Sequence, residues 1–256
     1  MGKLSKDMIR SDQEVPVRVN KYLSDAGVCS RREADRLIEA GRIYIDGFPA
    51  VPGQKINPGQ EVFFDGQIVL PEKTLVLIAF HKPAGIECTT SSGQPDNIID
   101  YINYPVRIFP VGRLDKNSSG LILLTNAGEL SDRILRSSNY HEKEYRVTVD
   151  QPLTGDFLQA MSKGVSITLE DGARQVCTRP CVVEATGACS FRIILTQGLN
   201  RQIRRMCETL GYHVRSLQRV RILNIQLGNL SEGQYRNVSE SEIRNQGIQD
   251  RCVRYG

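Results

Sequence analysis

The stretch VGRLDKNSSGLILLTNAGEL, residues 111–130, joins a polar loop to a strongly apolar run. Leu121–Leu124 consists of large aliphatic residues and is followed by the turn-favouring Asn126 and Gly128, so the run predicts a buried β-strand. Asp115 stands in the loop before this strand, where a rigid sheet can hold a functional side chain. Taken alone, an aspartate among Lys, Asn and Ser is more often a turn residue than a catalyst. The loop is therefore a candidate site that other segments must support.

A second segment, Leu199–Glu208, predicts an amphipathic helix. Asn200 is a natural N-cap, and Gly211 lies just past the last turn. Apolar residues recur at helical spacing and predict a core-facing stripe: Ile203, Met206, Cys207 and Leu210. Arg204 lies about 100° around the helix from its predecessor, at the border of the stripe, so its stem can pack while its head enters a cleft. A buried arginine needs a carboxylate partner, and Asp115 is the candidate.

Other apolar runs predict the rest of a larger unit over residues 75–244. The expected strands are Leu75–Phe80, Glu144–Val149 and Phe191–Leu195, and a helix is expected near Ile98–Ile102. Strands and helices are interspersed without the regular spacing of βαβ units. The pattern therefore predicts an α+β domain with a mixed or antiparallel sheet.

The preceding residues, 17–70, predict a small helix–helix–strand unit. The first helix has apolar residues on one face: Val19, Tyr22, Leu23 and Ala26. Ser30 and Glu33 form a capping box that opens the second helix, which Gly41 ends. Ile43–Ile45 predicts a short strand, and Leu70–Thr74 a short linker to the larger unit.

The two ends of the sequence are polar and give two further expectations. Residues 1–16 are polar and lack the apolar core of a signal peptide, so they predict a flexible N-terminus. Residues 245–256 predict a loose tail, and no apolar run approaches the length of about 18 residues that a membrane span needs. We therefore expect a cytoplasmic protein with no membrane partner.

The net charge of +4 is only mildly basic and does not by itself indicate nucleic acid. The distribution is more informative, because six arginines and one acid fall between Leu199 and Arg221: Arg201, Arg204, Arg205, Arg215, Arg219 and Arg221, with Glu208. Most charge runs form a solvated face. Arginine without lysine suits phosphate contact and base stacking, so this cluster predicts RNA contact or a catalytic role.

The cysteines indicate neither a disulfide framework nor a metal site. There are seven of them, an odd number, in a chain without a secretory signal. Cys177 and Cys181 are spaced C-x3-C with Cys189 beyond, but no histidine lies near them in sequence, so we expect small core thiols. The sequence also contains no phosphate-binding loop or dinucleotide fingerprint, and no metal or cofactor is predicted.

The N-terminal unit resembles the S4 RNA-binding domain. The resemblance is carried by RVNKYLSDAGVCSRREADRLIEAGRIYIDG, residues 18–47. In that family the two helices present basic side chains to structured RNA. The matching residues here are Arg18, Lys21, Arg31, Arg32 and Arg36. Acidic residues are interspersed among them, so a plain solvated surface is the alternative.

The larger unit resembles the RsuA/RluB/RluE/RluF family of bacterial pseudouridine synthases. VGRLDKNSSGLILLTNAGEL looks like its signature, HKPAG (81–85) like its first motif, KEYRV (143–147) like its tyrosine segment and QGLNRQIRRMCETLGYHV (197–214) like its last catalytic motif. LQRVRILNIQLGNL (217–230) continues the pattern. The resemblance covers about Val17 to Val238 and is closest to the RluF branch. Glu87–Cys88 and Tyr235, where a tryptophan is usual, depart from it.

The resemblance implies a role for individual residues. Asp115 matches the catalytic aspartate, Tyr145 the tyrosine that stacks on the target base, and Arg204 the arginine that pairs with the aspartate. Further substrate contacts are expected from Arg113, Ile203, Lys82, Arg201 and Arg205, with a packing role for Lys82 equally open. The implied substrate is RNA, most simply 23S ribosomal RNA, and the implied reaction needs no cofactor. The oligomeric state is not readable from the sequence, and a monomer is favoured because nothing demands a dimer.

Such an enzyme breaks the bond from ribose C1′ to uracil N1, rotates the base and rejoins it through C5. Asp115 would act as nucleophile at C1′ or as base toward C2′, and the sequence does not choose. Three alternatives stay open: a non-catalytic S4-type RNA-binding or ribosome-assembly factor, the same activity on tRNA or 16S rRNA, and a cysteine-dependent hydrolase. No Cys-His signature supports the last of these.

Overall fold

The computed structural model describes residues 15–72, 74–90, 96–135, 140–169 and 174–244. The chain divides into two compact units, one formed by residues up to Leu75 together with Pro105–Ile108, the other by Val76–Tyr104 and the residues from Phe109 onward. The expectations of a flexible N-terminus and a loose tail fall, apart from Val15 and Pro16, outside the described residues.

The first unit contains two short helices and six short strands within the described residues. They are β1 Val17–Arg18, α1 Val19–Asp25, α2 Arg31–Glu39, β2 Ile43–Ile45, β3 Phe48–Pro49, β4 Lys55–Ile56, β5 Val62–Phe64 and β6 Gln67–Ile68. An antiparallel sheet runs in the order β3-β2-β5-β6, and β1 pairs separately with β4. The predicted helix–helix–strand order is confirmed.

Local signals account for these elements. The Ser30 hydroxyl accepts the backbone N–H of Glu33 at 3.2 Å, which caps α2 as predicted. Asp46 and Gly47 have φ values of 50° and 85°, the left-handed pair that a tight hairpin between β2 and β3 requires. The core side chains of α1 and α2 are buried, and the Tyr22 hydroxyl donates to the Val69 carbonyl at 2.9 Å.

The second unit alternates strands and helices. Its described elements are β7 Leu77–Lys82, α3 Ile98–Ile102, β8 Phe109–Val111, β9 Ser119–Thr125, α4 Gly128–Leu135, β10 Lys143–Val149, α5 Gly155–Lys163, β11 Ser166–Thr168, β12 Gln175–Cys177, β13 Val182–Gly187, β14 Ser190–Leu195, α6 Gln202–Thr209, β15 Val214–Ile222, β16 Ile225–Gln226, β17 Tyr235–Asn237 and α7 Glu240–Arg244. The predicted strands, the Ile98–Ile102 helix and the helix after Leu199 are all present. The first strand is shifted, because β7 continues through Lys82 where Phe80 was expected to end it.

Nine strands of the described residues form one mixed sheet. The main path is β13-β14-β10-β15-β9-β7-β17, with β16 beside β15 and β8 beside β9. The pairing of β15 with β9 is parallel, and the other pairs are antiparallel. The expected α+β fold with a mixed sheet is confirmed. α5 and α6 contribute Met161 and Met206, both fully buried, to a core against β10 and β14.

Gly120 allows the parallel pairing at the centre of the sheet. It has φ +109°, and a Cβ atom there would lie 2.3 Å from the Arg219 carbonyl oxygen on β15. Any side chain at this position would push β9 and β15 apart. The pairing fixes the start of β9, and with it the loop that carries Asp115.

Candidate active site

The second unit contains a pocket of about 520 Å³ at the start of β9. Its walls come from the loop 111–118, from β10 and from the segment 195–204 that leads into α6. This volume lies in the range of small-molecule sites, large enough for a nucleotide. Asp115, Tyr145 and Arg204, which lie far apart in sequence, all line it.

Asp115 and Arg204 form an ion pair across the pocket. The Asp115 Oδ2 atom lies 3.8 Å from the Arg204 Nε atom, with side-chain exposures of 36% and 10%. The carboxylate is thus accessible to a ligand while the guanidinium is withdrawn behind it. The partnership expected from the sequence is confirmed in its geometry.

Arg204 is held from three other directions. Its Nη2 donates to the Asn117 carbonyl at 2.9 Å and to the Ser118 hydroxyl at 3.1 Å, and Nη1 donates to the Val214 carbonyl at 3.3 Å. Burial lowers the pKa of the Arg204 guanidinium and repulsion from Arg201 lowers it further, whereas Asp115 raises it. An arginine nevertheless stays charged. Its Nε is buried without a hydrogen-bond partner within the described residues, and its ion-pair partner among them is the Asp115 carboxylate at 3.8 Å.

Tyr145 lies on β10, in the middle of a row of residues that are in register across the sheet. Its cross-strand neighbours are Ile193 on β14 and Arg219 on β15, and Arg219 in turn pairs with Gly120, which pairs with Lys82 on β7. Side chains in register on neighbouring strands project from the same face of a sheet. The row therefore brings the Tyr145 ring and two buried cations, Arg219 and Lys82, to one face of the sheet. They surround Gly120, which has no side chain.

Both buried cations support the loop of Asp115. The Lys82 ammonium donates to the carbonyls of Pro83, Ile86 and Lys116 at 2.6, 2.8 and 3.3 Å. Burial lowers the pKa of Lys82. Lys82 is fully buried and does not line the pocket, which corrects the expectation that it contacts substrate: its head group binds backbone carbonyls instead.

Arg219 was not selected from the sequence as a site residue, although it belongs to the arginine cluster. It is 4% exposed and lines the pocket, with Nε donating to the Leu121 carbonyl at 2.7 Å and Nη1 to the Arg113 carbonyl at 3.4 Å. Its Nη2 is buried without a hydrogen-bond partner in the described part of the chain. The alternation of side chains along β15 could have identified it, because this alternation puts Arg219 on the same face of the strand as the buried Leu217.

Two further pocket residues were also missed. Lys143 lines the pocket beside the row, and its pKa is lowered first by burial and then by Arg219. Cys88 accepts the Leu114 backbone N–H at 3.4 Å, next to Asp115, and burial raises the pKa of its thiol. The loop before β9 is thus held by backbone contacts on both sides of the carboxylate.

The remaining expected substrate contacts divide into two groups. Arg113, Ile203 and Arg201 line the pocket. Arg205 is not among the lining residues, because its guanidinium donates to the Thr168 carbonyl and, at 3.1 Å, to the Asn200 side chain. The geometry therefore gives Arg205 no direct contact with a ligand in the pocket.

Two local predictions were wrong. Asn200 does not cap α6: the N-cap is Arg201, in a left-handed conformation at φ 49°, and the Asn200 side chain accepts from Arg205 instead. Cys177 is exposed, not a buried core thiol, whereas Cys181 and Cys189 are partly buried against the core. Cys207 is fully buried as the helical stripe required.

In the first unit, most of the basic residues assigned to RNA contact are exposed: Arg18, Arg31, Arg32 and Arg36. Lys21 is half-buried and pairs with Asp25 at 2.6 Å, and Arg36 pairs with Glu33 at 3.1 Å. The interspersed acids therefore neutralise part of this surface.

Within the described residues, no three His, Cys, Asp or Glu side chains are grouped so that they could hold a metal ion. Among the helices of those same residues, none has both the length and the hydropathy of a membrane span.

Both units of the chain match known protein families. Residues 76–209 match the family model of RNA pseudouridylate synthases, and residues 17–62 match that of S4 domains. The dual-specificity RNA pseudouridine synthase RluF of Escherichia coli K12 is 49% identical over 229 residues, which cover 89% of this chain and 77% of that protein. An uncharacterized RNA pseudouridine synthase of Aquifex aeolicus is 35% identical over 233 residues, or 89% and 92% of the two chains.

A solved structure gives the same result. The crystal structure of a pseudouridylate synthase superposes with a TM-score of 0.66 at 26% identity, over 90% of this chain and 99% of the other. The family model alone spans more than half of the sequence. The chain belongs to the RNA pseudouridine synthase family, to the RsuA type that carries an S4 domain ahead of the synthase domain.

Proposed function

We propose that this enzyme converts a specific uridine of 23S ribosomal RNA to pseudouridine, with Asp115 as the catalytic carboxylate. The observation that carries the proposal is an accessible carboxylate 3.8 Å from a buried guanidinium, in a pocket that Tyr145 also lines. The division of labour follows the two units: residues 17–70 bind RNA, and residues 75–244 perform the reaction.

The reaction is an isomerisation, so its balance needs no electron donor and no transferred group. The C1′–N1 bond breaks, a C1′–C5 bond forms, the C5 proton is released and N1 gains one. An ionised Asp115 beside the ribose can attack C1′ or remove the C2′ proton, and both steps use the same carboxylate. Arg204 orients that carboxylate, and its rigid hydrogen bonds leave Nε for this purpose.

The target uridine has to leave its stack to reach a carboxylate that lines a pocket. Unstacking costs a few kcal/mol, and stacking on an aromatic ring recovers about 1–3 kcal/mol per base. Tyr145 supplies such a ring, half-buried against the core and therefore fixed in position. Ile203, only 4% exposed, adds an apolar contact in the same pocket.

Similarity to the RluF proteins supports ribosomal RNA of the large subunit as the substrate. The Escherichia coli relative is a dual-specificity enzyme by name, which favours a second RNA, and we expect a tRNA loop as that second target. We expect the enzyme to act in the cytoplasm as a monomer.

The test is tritium release from C5-tritiated uridine in 23S rRNA, with 16S rRNA and tRNA in parallel. Wild-type enzyme should release tritium, and Asp115→Asn should lower the rate by roughly 10³-fold or more while RNA affinity changes little. Asp156→Asn, at an exposed aspartate in the first turn of α5, is the matched control and should retain the wild-type rate. Wild-type turnover in Asp115→Asn would overturn the assignment, and release from tRNA or 16S rRNA alone would overturn the choice of substrate.

A further inference from the structure

An exposed tyrosine and an arginine form a stacked pair beside the pocket. Tyr140 is 60% exposed and has a left-handed backbone with φ 50°, which is rare for an aromatic residue. The Arg179 guanidinium carbon lies 4.6 Å from the centre of the Tyr140 ring. One ring face is thus covered by a cation, and most of the side chain still faces solvent.

The pair is adjacent to the pocket wall on both of its sides. Tyr140 is followed directly by His141, which lines the pocket. The Arg179 backbone N–H donates to the Gln197 side chain at 3.0 Å, and Gln197 also lines the pocket. Consecutive Cα atoms are only about 3.8 Å apart, so the Tyr140 backbone lies directly beside a residue of the pocket wall.

Arg179 also has a hydrogen-bonding capacity that the protein does not use. Its Nη1 atom is buried and has no hydrogen-bond partner in the described part of the chain. Buried donors are normally paired, and the Arg179 backbone contacts a residue of the pocket wall, so the unpaired Nη1 is available to an acceptor that arrives with the ligand. Phosphate and base carbonyl oxygens in RNA are acceptors that a guanidinium binds well.

We infer that Tyr140 and Arg179 form a binding subsite for the nucleotide next to the target uridine, whose base stacks on the open side of Tyr140. The inference rests on the proposed function, because it presupposes a uridine in the pocket. A flipped uridine leaves its neighbour without a stacking partner, and an aromatic ring at the pocket edge replaces that partner. Arg179 holds the ring from the other side and attracts it electrostatically.

The test compares KM and kcat for tritium release on an RNA oligonucleotide that spans the uridine mapped by the preceding experiment. Tyr140→Leu should raise KM about tenfold, within the range of aromatic stacking on one base, which corresponds to about 1.4 kcal/mol at 25 °C. The kcat should stay near the wild-type value, and Tyr140→Phe should keep the wild-type KM. Tyr101→Leu, at another exposed tyrosine of the same unit, is the control for loss of an aromatic side chain.

Two abasic RNAs, one lacking the base before the uridine and one lacking the base after it, distinguish base stacking on Tyr140 from a purely structural role of the Tyr140–Arg179 pair. On the abasic RNA that removes the stacked neighbour, wild type and Tyr140→Leu should have equal KM values. A tenfold difference that persists on both abasic RNAs, or no difference on the intact RNA, would overturn the inference and leave the proposed function standing. An inactive wild-type enzyme would overturn the proposed function and this inference with it.

Discussion

Replacing Arg204 by methionine removes the guanidinium and keeps most of the apolar stem. The guanidinium makes hydrogen bonds to Asn117, Ser118 and Val214 at 2.9, 3.1 and 3.3 Å, and an ion pair to Asp115 at 3.8 Å. These contacts join α6, the start of β15 and the loop before β9. The substitution therefore affects both the stability of the second unit and the position of the carboxylate.

The magnitude follows from opposing contributions. Hydrogen bonds from a charged donor contribute about 1.5–3 kcal/mol each, so three of them amount to roughly 4.5–9 kcal/mol. Arg204 is only 9% exposed, and keeping its charge away from water costs several kcal/mol and offsets part of this gain. Asp115, with a side chain 36% exposed, regains water when its partner is lost, so the ion pair contributes little to stability. We expect a net loss of about 3 kcal/mol in the free energy of unfolding.

The assay combines urea and thermal denaturation with single-turnover tritium release. A loss of about 3 kcal/mol lowers the melting temperature by roughly 6–12 °C for a unit of this size. The rate should fall about 10²-fold, because a carboxylate displaced by about 1 Å loses its alignment with the ribose. Arg204→Lys keeps the charge but cannot make all three hydrogen bonds. It should therefore recover less than half of the lost stability and less than half of the lost rate. Unchanged melting would refute the stabilising role, and reduced stability with an unchanged rate would refute the positioning of Asp115.

Three further outcomes follow from the geometry. Gly120→Ala should lower the free energy of unfolding by about 3 kcal/mol or more, whereas Gly27→Ala, with φ 76° and open space around it, should cost only about 1 kcal/mol; equal losses in denaturation would contradict the close approach to β15. Tyr145→Leu should lower kcat/KM about 10- to 100-fold and Tyr145→Phe far less, since stacking is kept; equal losses would exclude stacking as its role. Burial raises the pKa of the Cys207 thiol to about 12, so little thiolate forms at pH 8; iodoacetamide should label the exposed Cys177 and spare Cys207 until the protein unfolds, and mass spectrometry showing labelled Cys207 in native protein would count against this.

Sequence patterns predicted the parts of the fold that depend on neighbouring residues. The capping of α2 by Ser30 and the buried stripe of α6 follow from spacings of three and four residues. The Asp115–Arg204 pair was predicted because a border arginine needs a carboxylate, and the structure joins these residues at 3.8 Å. The catalytic roles of Asp115, Tyr145 and Arg204 remain predictions for the variants above.

The errors arose where a distant segment outweighed a local signal. β7 runs on through Lys82 because Lys82 pairs with Gly120 of β9, a partner outside any local window. Asn200 has the residue type of an N-cap, but its side chain is occupied by the Arg205 guanidinium. The boundary of a strand and the use of a cap thus depended on contacts that spacing does not encode.

The sequence by itself determined the strands and helices that carry or flank Asp115, Tyr145 and Arg204, and it determined the family. Tertiary structure decided which charged side chains lose water. Arg219 and Arg221 are two residues apart in one arginine-rich strand, yet Arg219 is buried against the loop of Asp115 while Arg221 pairs with Glu144 of β10 and with Glu142 just before it. Periodicity shows which face of a strand a residue occupies, but desolvation depends on what packs against that face. At the centre of this sheet the packing partners come from segments about a hundred residues away, and only their pairing turns these charges into a site.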